Sequence, residues 1–465
     1  MLARASTKVT HVQKCGKSFP RRYLLLLPIL AWPLFFLNAY FLRARLRQSP
    51  TRDTHVIVAY ESVPHVLDGA ERFIAHFTSL LATLPSTRVT FVARSNVGKC
   101  APRDADIAAL TSAHVRIVHA SPQSAAFTAL IAEPQSALLL PLSFFESCMS
   151  STANASAEDF LSAFRAQRIS GARVGVFSLD AQAERARGNA AYEPDAAQAT
   201  RYRELEASYA AREARLYGGA DSLAMLTEED LSAIQDLGHT TPRFVINYRD
   251  EIDARLRSAA TLPRERALAV AAALPPFRTR EGFAFIGSGD SPTNHLAVRA
   301  LLRDVWPIIR ERLPGATLHL IGRPPSVLCA AHGIHCGWSD GHDSPGVIVD
   351  GLVEDVDGLL NSLRVSLAPM ITGTGVNTKT GFFASHGLPI VGTPKAARGY
   401  LQDGVPAGVT VAAMGADFAD AAILLHEDEA AWARASVASL EMVASLHDER
   451  KRGDDIMRFK DALFE

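Results

Sequence analysis

Largely apolar runs of strand length recur between residues 55 and 250, separated by stretches with helical periodicity. The runs cover residues 55–60, 88–93, 115–119, 137–142 and 173–178. Continuous apolar runs are typical of strands that are buried on both faces, as in a parallel sheet. Because these strands alternate with helical patterns, the sequence predicts βαβ units and a doubly wound α/β sheet.

A second series of the same kind begins after a proline-rich segment that ends near residue 282. Its predicted strands cover residues 283–286, 317–321, 347–353, 365–370 and 389–393. We therefore predict two Rossmann-like domains, at residues 55–250 and 282–429, with a linker at residues 251–281. A terminal helix is expected at residues 430–447, within a C-terminal segment at residues 430–465.

The N-terminal region contains twenty consecutive residues without a charge, at residues 23–42, with basic residues on both sides. At about 1.5 Å per residue this run is long enough to cross a hydrocarbon core of about 30 Å. It predicts a transmembrane signal anchor after a cytosolic tail at residues 1–22, followed by a stem at residues 43–54. The expected product is a type II protein with a lumenal body in the Golgi or another secretory membrane. A plastid or other organellar membrane is the alternative.

Charge is distributed unevenly along the 465 residues, although the formal net charge is only −1. Residues 1–52 contain ten basic residues and no acidic one, so the remainder has 38 basic and 49 acidic residues, a difference of −11. The globular part of a nucleic-acid-binding protein is expected to carry a basic surface. An acidic body therefore argues against nucleic acid as a partner.

The segment at residues 373–387 carries the strongest chemical signal. It reads Gly-Thr-Gly-Val-Asn-Thr-Lys-Thr-Gly-Phe-Phe-Ala-Ser-His-Gly and is followed by an apolar strand. This pattern predicts a strand, a glycine-rich turn and the start of a helix, where backbone N–H groups are suited to bind phosphate. Lys379 is the first candidate for a phosphate ligand. A solvated lysine on the helix surface is the alternative.

Several motifs in the second half occur in an order and spacing that resembles the C-terminal domain of group 1 glycosyltransferases. They lie at residues 285–298, 320–325, 351–356, 367–370, 373–379 and 387–393. This family has the GT-B fold, in which two Rossmann-like domains face a cleft, and its members are retaining enzymes that use nucleotide sugars. The resemblance covers residues 282–405 well and residues 55–250 only faintly. It implies that the first domain binds the acceptor and that the terminal helix returns to it.

The resemblance and the strand ends together indicate the site residues. Candidate donor-binding residues are Gly287, Gly289, Arg323, Leu352, Val353, Gly373, Thr374, Gly375 and Lys379, candidate acceptor-side residues are Asp68, Gly69 and Arg185, and the candidate catalytic residues are Asp180 and Lys379. Arg323 is equally compatible with a surface turn, and Gly287 and Gly289 with ordinary turn glycines. Leu352 and Val353 could equally belong to a strand core. Asp180 is expected either to position an acceptor hydroxyl or to cap the following helix.

The resemblance implies a UDP- or GDP-sugar as co-substrate, a glycan or glycoconjugate as acceptor, and neither a cofactor nor a metal. Several positions depart from the family pattern, among them Ser288 and Thr293-Asn294, which replace an Arg and Lys pair carried by many relatives. Phe382 stands where an acidic residue commonly holds the donor's ribose, Asn377 replaces a lysine, and Gln182 replaces a histidine. The sequence therefore favours a membrane-anchored, retaining, hexosyltransferase-type enzyme. The alternatives are a catalytically inactive nucleotide-sugar or glycan-binding protein and an epimerase of similar fold.

Overall fold

The computed structural model describes most of the chain after residue 52. The described residues are 53–64, 69–94, 102–142, 156–167, 171–234, 241, 243–246, 256, 261–289, 291–322, 344–402, 405–406, 408–446 and 449–464. The predicted membrane span, tail and stem fall almost entirely outside these residues. Within the described part of the chain, no helix combines the length and the apolar character needed to cross a bilayer.

The first half forms a seven-stranded sheet in which every strand pair is parallel. Its strands are β1 Thr54–Tyr60, β2 Thr87–Ala93, β3 Arg116–His119, β4 Ser136–Leu142, β5 Arg173–Ser178, β6 Ser222–Met225 and β7 Arg243–Val245. The strand order is β3-β2-β1-β4-β5-β6-β7. The chain order therefore reverses between β1 and β4, the switch point at which doubly wound sheets bind ligands beyond the strands' carboxyl ends.

The second half repeats this arrangement with six parallel strands. They are β8 Phe283–Ile286, β9 Leu318–Ile321, β10 Val347–Gly351, β11 Val365–Ala368, β12 Ile390–Gly392 and β15 Thr410–Val411, while β13 Leu401–Gln402 and β14 Val405–Pro406 form a small antiparallel pair. The order is β10-β9-β8-β11-β12-β15, so the switch point lies between β8 and β11. The predicted α/β class with two parallel, doubly wound sheets is confirmed.

Helices connect the strands in both halves. Their bounds are α1 Gly69–Thr83, α2 Asp104–Thr111, α3 Ala125–Ile131, α4 Ser156–Ala166, α5 Gln182–Tyr192, α6 Ala196–Gly218, α7 Glu228–Ala233, α8 Pro263–Ala271, α9 Pro292–Ala300, α10 Trp306–Arg312, α11 Val356–Ser362, α12 Thr378–Ser385, α13 Ala416–Glu427, α14 Glu429–Leu446 and α15 Glu449–Ala462. A π-helical turn, Leu301–Val305, joins α9 to α10.

Each face of the first sheet is covered by its own apolar cluster. Val56 and Val58 belong to one cluster, whereas Ile57 and Ala59 belong to the other, because successive side chains of a strand point to opposite faces. All seven residues of β1 are buried. The continuous apolar run that the sequence shows at this position is therefore explained by burial on both faces.

The end of the chain returns to the first half. Helix α15 contributes Ile456 and Phe459 to the cluster that contains Val56, and the Phe459 ring lies 6.3 Å from that of Phe77. Helix α14, which the sequence predicts as the returning helix, packs instead into the second half through residues such as Leu440. The return is made by the last helix. The domain limits drawn from the sequence remain a prediction, since residues Asp53–Glu465 form one compact unit.

Candidate functional site

The glycine turn, defined here as residues 373–375, lies between β11 and α12 and contacts the first half. Gly373 and Gly375 have φ values of 119° and 71°, in the left-handed region that favours glycine. A Cβ atom on Gly375 would come within 2.7 Å of the carbonyl oxygen of Leu179. Because Leu179 directly follows β5, the turn packs against the carboxyl edge of the first sheet. Both features restrict position 375 to glycine.

Lys379 lies in the first turn of α12, and its partners are uncharged. Its Nζ donates a hydrogen bond to Asn294 Oδ1 at 3.0 Å and a longer one to Asn377 Oδ1 at 3.4 Å. The same atom lies 5.7 Å from the centroid of the Phe285 ring. No carboxylate of a described residue forms an ion pair with it. Desolvation lowers the pKa of Lys379 to about 8. An anion that bound here would compensate this charge.

Asn294 connects Lys379 to the glycines after β8. Its Nδ2 donates to the Ser288 carbonyl oxygen at 2.9 Å, while its Oδ1 accepts from Lys379. A Cβ atom on Gly287 would lie 2.6 Å from Asn294 Nδ2, so a side chain at position 287 would displace the Asn294 amide. The structure thus brings Gly287 and Lys379 together through Asn294. Gly289 follows in the same turn.

Other predicted donor residues lie further along the sheet or outside the described residues. Leu352 is 71% exposed just after β10, while Val353 packs against the apolar cluster of the second half. Strands β8 and β9 separate them from the glycine turn. Arg323 and Asp68 fall outside the described residues, and Gly69 is the first residue of α1.

Asp180 and Arg185 form a buried ion pair at the carboxyl end of β5. Arg185 Nε also donates to Thr374 Oγ1 at 3.3 Å, so the pair reaches the glycine turn. Burial lowers the pKa of Arg185 to about 10. Asp180 Oδ1 has no hydrogen-bond partner within the described part of the molecule. This oxygen is buried, and its capacity to accept a hydrogen bond is unused among these residues.

The alternative role of Asp180, as a helix cap, is contradicted. The N-cap residue of α5 is Ala181, and no capping bond comes from its own side chain. The carboxylate of Glu213 from α6 caps the helix instead, because its Oε1 accepts the N–H groups of Gln182 and Ala183 at 2.6 and 3.3 Å. Burial raises the pKa of Glu213 to about 7, although these N–H groups act in the opposite direction.

A buried ion pair that the sequence does not reveal closes the contact between the two halves. Asp230 accepts the Gly375 N–H with both carboxylate oxygens, at 2.9 and 3.1 Å, and accepts Arg398 Nη2 at 2.6 Å. Arg398 Nη1 lies 3.3 Å from Glu184 Oε1. Asn189 Oδ1 accepts the Thr372 hydroxyl at 2.7 Å close by. The sequence carries only the capping pattern Thr227-Glu-Glu-Asp230 at this position, and Thr227 is the N-cap of α7.

The structure describes the residues Phe382, Asn377 and Gln182, at which the sequence departs from the family pattern. Phe382 packs against the apolar cluster of the second half, and its ring lies 4.5 Å from that of His386. Asn377 precedes α12 and supports Lys379. Gln182 is buried at the start of α5, and its Nε2 has no partner among the residues that the structure describes.

Comparison with known proteins agrees with this geometry. Residues 280–428 match the family model described as Glycosyl transferases group 1. The chain therefore contains a group 1 glycosyltransferase domain, which includes both Lys379 and the glycine turn. A search of curated protein sequences gives no match.

Solved structures similar to the chain have the GT-B fold. Anabaena Alr3699/HepE in complex with UDP and glucose aligns with a TM-score of 0.53 and 12% identity, over 87% of this chain and 98% of that one. An E. coli structure described as trehalose-6-phosphate bound with UDP-2-fluoro glucose has a TM-score of 0.53, 11% identity and coverages of 88% and 99%. A mutant of S. aureus TarM in complex with UDP has a TM-score of 0.45 and 10% identity over 71% of this chain, which spans about half, 56%, of that protein. The predicted GT-B fold is confirmed.

Proposed function

We propose that the chain is a retaining glycosyltransferase of hexosyltransferase type. It moves a sugar from a nucleotide-sugar donor to a glycan or glycoconjugate acceptor. The observation that carries the proposal is Lys379, a partly buried ammonium group on the helix that follows the glycine turn, with only neutral partners among the described residues. The UDP bound to Anabaena Alr3699/HepE supports a UDP-sugar, and a GDP-sugar is the alternative.

The chemistry requires a stabilised leaving group. The bond between the anomeric carbon and the nucleoside diphosphate breaks through an oxocarbenium-like transition state, while the acceptor oxygen bonds to the same carbon and its proton passes to an oxygen of the departing diphosphate. Lys379 and the N-terminal N–H groups of α12 supply positive potential to the departing diphosphate. With a pKa of about 8, Lys379 is mostly protonated near pH 7. In this proposal these groups take the place of a metal ion.

On the acceptor side, we assign the unpaired oxygen of Asp180 to an acceptor hydroxyl. Arg185 fixes the other carboxylate oxygen and contacts Thr374, so the acceptor group is held next to the glycine turn. A carboxylate held in this way accepts hydroxyl hydrogen bonds without reorganisation.

A second candidate function is a nucleotide-sugar or glycan-binding protein without activity. Phe382 leaves no acidic side chain at the position commonly used for ribose, and the Gly375 N–H is already bound by Asp230. Both observations favour weak or altered donor chemistry on an otherwise intact scaffold.

Donor turnover separates the two functions. The full chain is incubated with UDP-glucose, UDP-galactose, UDP-N-acetylglucosamine and GDP-mannose, with and without neutral glycosides, and released UDP or GDP is measured. A transferase releases nucleotide and forms a glycoside, whereas an epimerase changes the sugar without an acceptor. Thermal stabilisation by UDP or GDP without turnover of any donor would establish the inactive binding protein instead.

We further propose that residues 23–42 anchor the chain as a type II membrane protein of the secretory pathway. The proposal is supported by the uncharged run and its basic flanks. Expressed in cells, the full chain should stay with membranes after alkaline carbonate extraction, whereas residues 53–465 should not. A fluorescent fusion distinguishes Golgi from plastid location, and release of the full chain by carbonate would contradict the anchor.

A further inference from the structure

Glu61 is a buried carboxylate for which the described part of the chain supplies no hydrogen-bond partner. It directly follows β1, is only 4% exposed, and neither of its carboxylate oxygens has a hydrogen-bond partner among the described residues. Other buried acids of the first half are paired. Asp106 binds Arg103, Glu213 binds the N–H groups that start α5, and Asp230 binds Arg398.

The fold does not need this carboxylate. Strand β1 is fixed by its backbone pairing to β2 and β4, and the Tyr60 carbonyl oxygen accepts the Arg94 N–H at 3.1 Å. Burying a carboxylate without hydrogen bonds is costly, so an apolar residue at position 61 would favour folding. A group that opposes folding in this way is a candidate for a ligand contact.

Strand register places Glu61 near Asp180. Val58 pairs with Leu139, so Glu61 comes level with Leu142, which in turn pairs with Ser178 two residues before Asp180. Strand β4 separates β1 from β5, so the two carboxyl ends lie about 10 Å apart. Both acids sit at the carboxyl edge, and Glu61 lies at the switch point between β1 and β4.

We propose that Glu61 is an acceptor-binding residue, and that it and Asp180 together select an uncharged, hydroxyl-bearing sugar. The proposal rests on the proposed function. Each acid has a carboxylate oxygen without a hydrogen-bond partner among the described residues, which can accept a hydroxyl hydrogen bond. The ends of β1 and β5 are about 10 Å apart, so both side chains are within reach of one sugar acceptor. A phosphate, sulfate or carboxylate on the acceptor would be repelled by Glu61, which has no cationic partner among the described residues, whereas the charge of Asp180 is compensated by Arg185.

The binding test uses the full chain as wild type, Glu61→Gln and Glu133→Gln. Glu133 is the matched control, because it lies near the opposite end of the same sheet and pairs with Arg88. The probes are the methyl glycosides of glucose, galactose, mannose and N-acetylglucosamine, with glucose 6-phosphate and glucuronic acid as anionic counterparts. Binding is followed by saturation-transfer NMR titration. The UDP- and GDP-induced shifts in Tm are recorded for the same three proteins.

At least one neutral glycoside should bind wild type and Glu133→Gln equally, and bind Glu61→Gln about tenfold or more weakly, as expected for a lost hydrogen bond to a charged group. The nucleotide-induced shift in Tm should be the same in all three proteins. Equal binding by Glu61→Gln, no neutral glycoside bound by wild type, or anionic probes bound as tightly as neutral ones would each overturn the proposal. If neither UDP nor GDP shifts the Tm of the wild-type protein, the result would instead count against the proposed function.

A stability measurement separates a ligand contact from a structural role. Glu61→Met replaces the acid by an apolar side chain of similar length, so it should raise Tm if the carboxylate is unpaired. A fall in Tm as large as that of Asp230→Asn would show that Glu61 has a structural partner and would overturn the proposal.

Discussion

At the scale of the residue, Lys379 combines a positive charge with a desolvated setting. Its hydrogen-bond acceptors are Asn294 and Asn377, which hold the ammonium group without neutralising it. The glycine turn and Lys379 could be predicted from the sequence because they are neighbours in one short motif. Asn294 and Asp230 could not, since they reach the motif from 85 and 145 residues away. Only the folded chain shows which distant side chains meet.

The pH dependence of nucleotide binding tests the charge of Lys379. Because its pKa is about 8, the ammonium group loses its proton as the pH rises through that value. Only the protonated form attracts a diphosphate, so UDP or GDP affinity should fall between about pH 7 and pH 9. Lys379→Arg keeps its charge over this range and should show no such fall. Calorimetric titration at several pH values measures the nucleotide affinity of wild type and of Lys379→Arg. A wild-type affinity that does not change with pH contradicts the assignment.

At the scale of the element, strands were predicted more closely than helices. The predicted strand 137–142 corresponds to β4 Ser136–Leu142, since burial on both faces leaves a continuous apolar run. The apolar periodicity of residues 294–312 predicts one helix, but the π-helical turn Leu301–Val305 interrupts it. Pro307 follows this turn, and a proline inside a helix removes one N–H donor and clashes with the preceding turn. The periodicity of the apolar positions does not reveal this local change.

The Glu213 carboxyl group, which accepts the first N–H groups of α5, should make the stability of the protein depend on pH. Burial raises the pKa of Glu213 to about 7 from a usual 4.5. Between these values the folded state keeps a proton that the unfolded chain has released. The free energy of unfolding therefore falls as the pH rises through this window, by at most about 3 kcal/mol.

Glu213→Gln should remove this dependence while its amide oxygen still accepts the α5 N–H groups. The variant should gain stability relative to wild type at pH 8 and show little gain at pH 4.5. Urea unfolding at four pH values measures the difference. If the variant keeps the wild-type slope, Glu213 is not the titrating group.

At the scale of the whole molecule, the two halves are joined by buried polar contacts. Gly375 and Arg398 of the second half both bind Asp230 of the first, while Asn189 binds Thr372. The two sides of this contact come from different halves of the chain, so a sequence-based analysis could predict two halves facing a cleft but not the groups that close it. The GT-B fold is confirmed. The Asp230–Arg398 ion pair is visible only in the structure.

Removal of one member of the Asp230–Arg398 pair should be strongly destabilising. Arg398→Met or Asp230→Asn leaves a buried charge or its donors without a partner, which costs about 3–5 kcal/mol. The double variant should lose less than the sum of the single losses, because the two groups compensate each other. Denaturant unfolding of the four proteins gives the coupling energy. Additive losses would mean that the two side chains do not interact.

The central claim is that Lys379 binds the diphosphate of a nucleotide-sugar donor. The most direct measurement is calorimetric titration of UDP and GDP into the full chain as wild type, Lys379→Ala and Arg312→Ala. Arg312→Ala is the control, because this substitution also removes one cation, on α10, where Arg312 pairs with Asp420. The account predicts that one nucleotide binds wild type and Arg312→Ala equally and binds Lys379→Ala at least about tenfold more weakly. Equal binding by wild type and Lys379→Ala would contradict it.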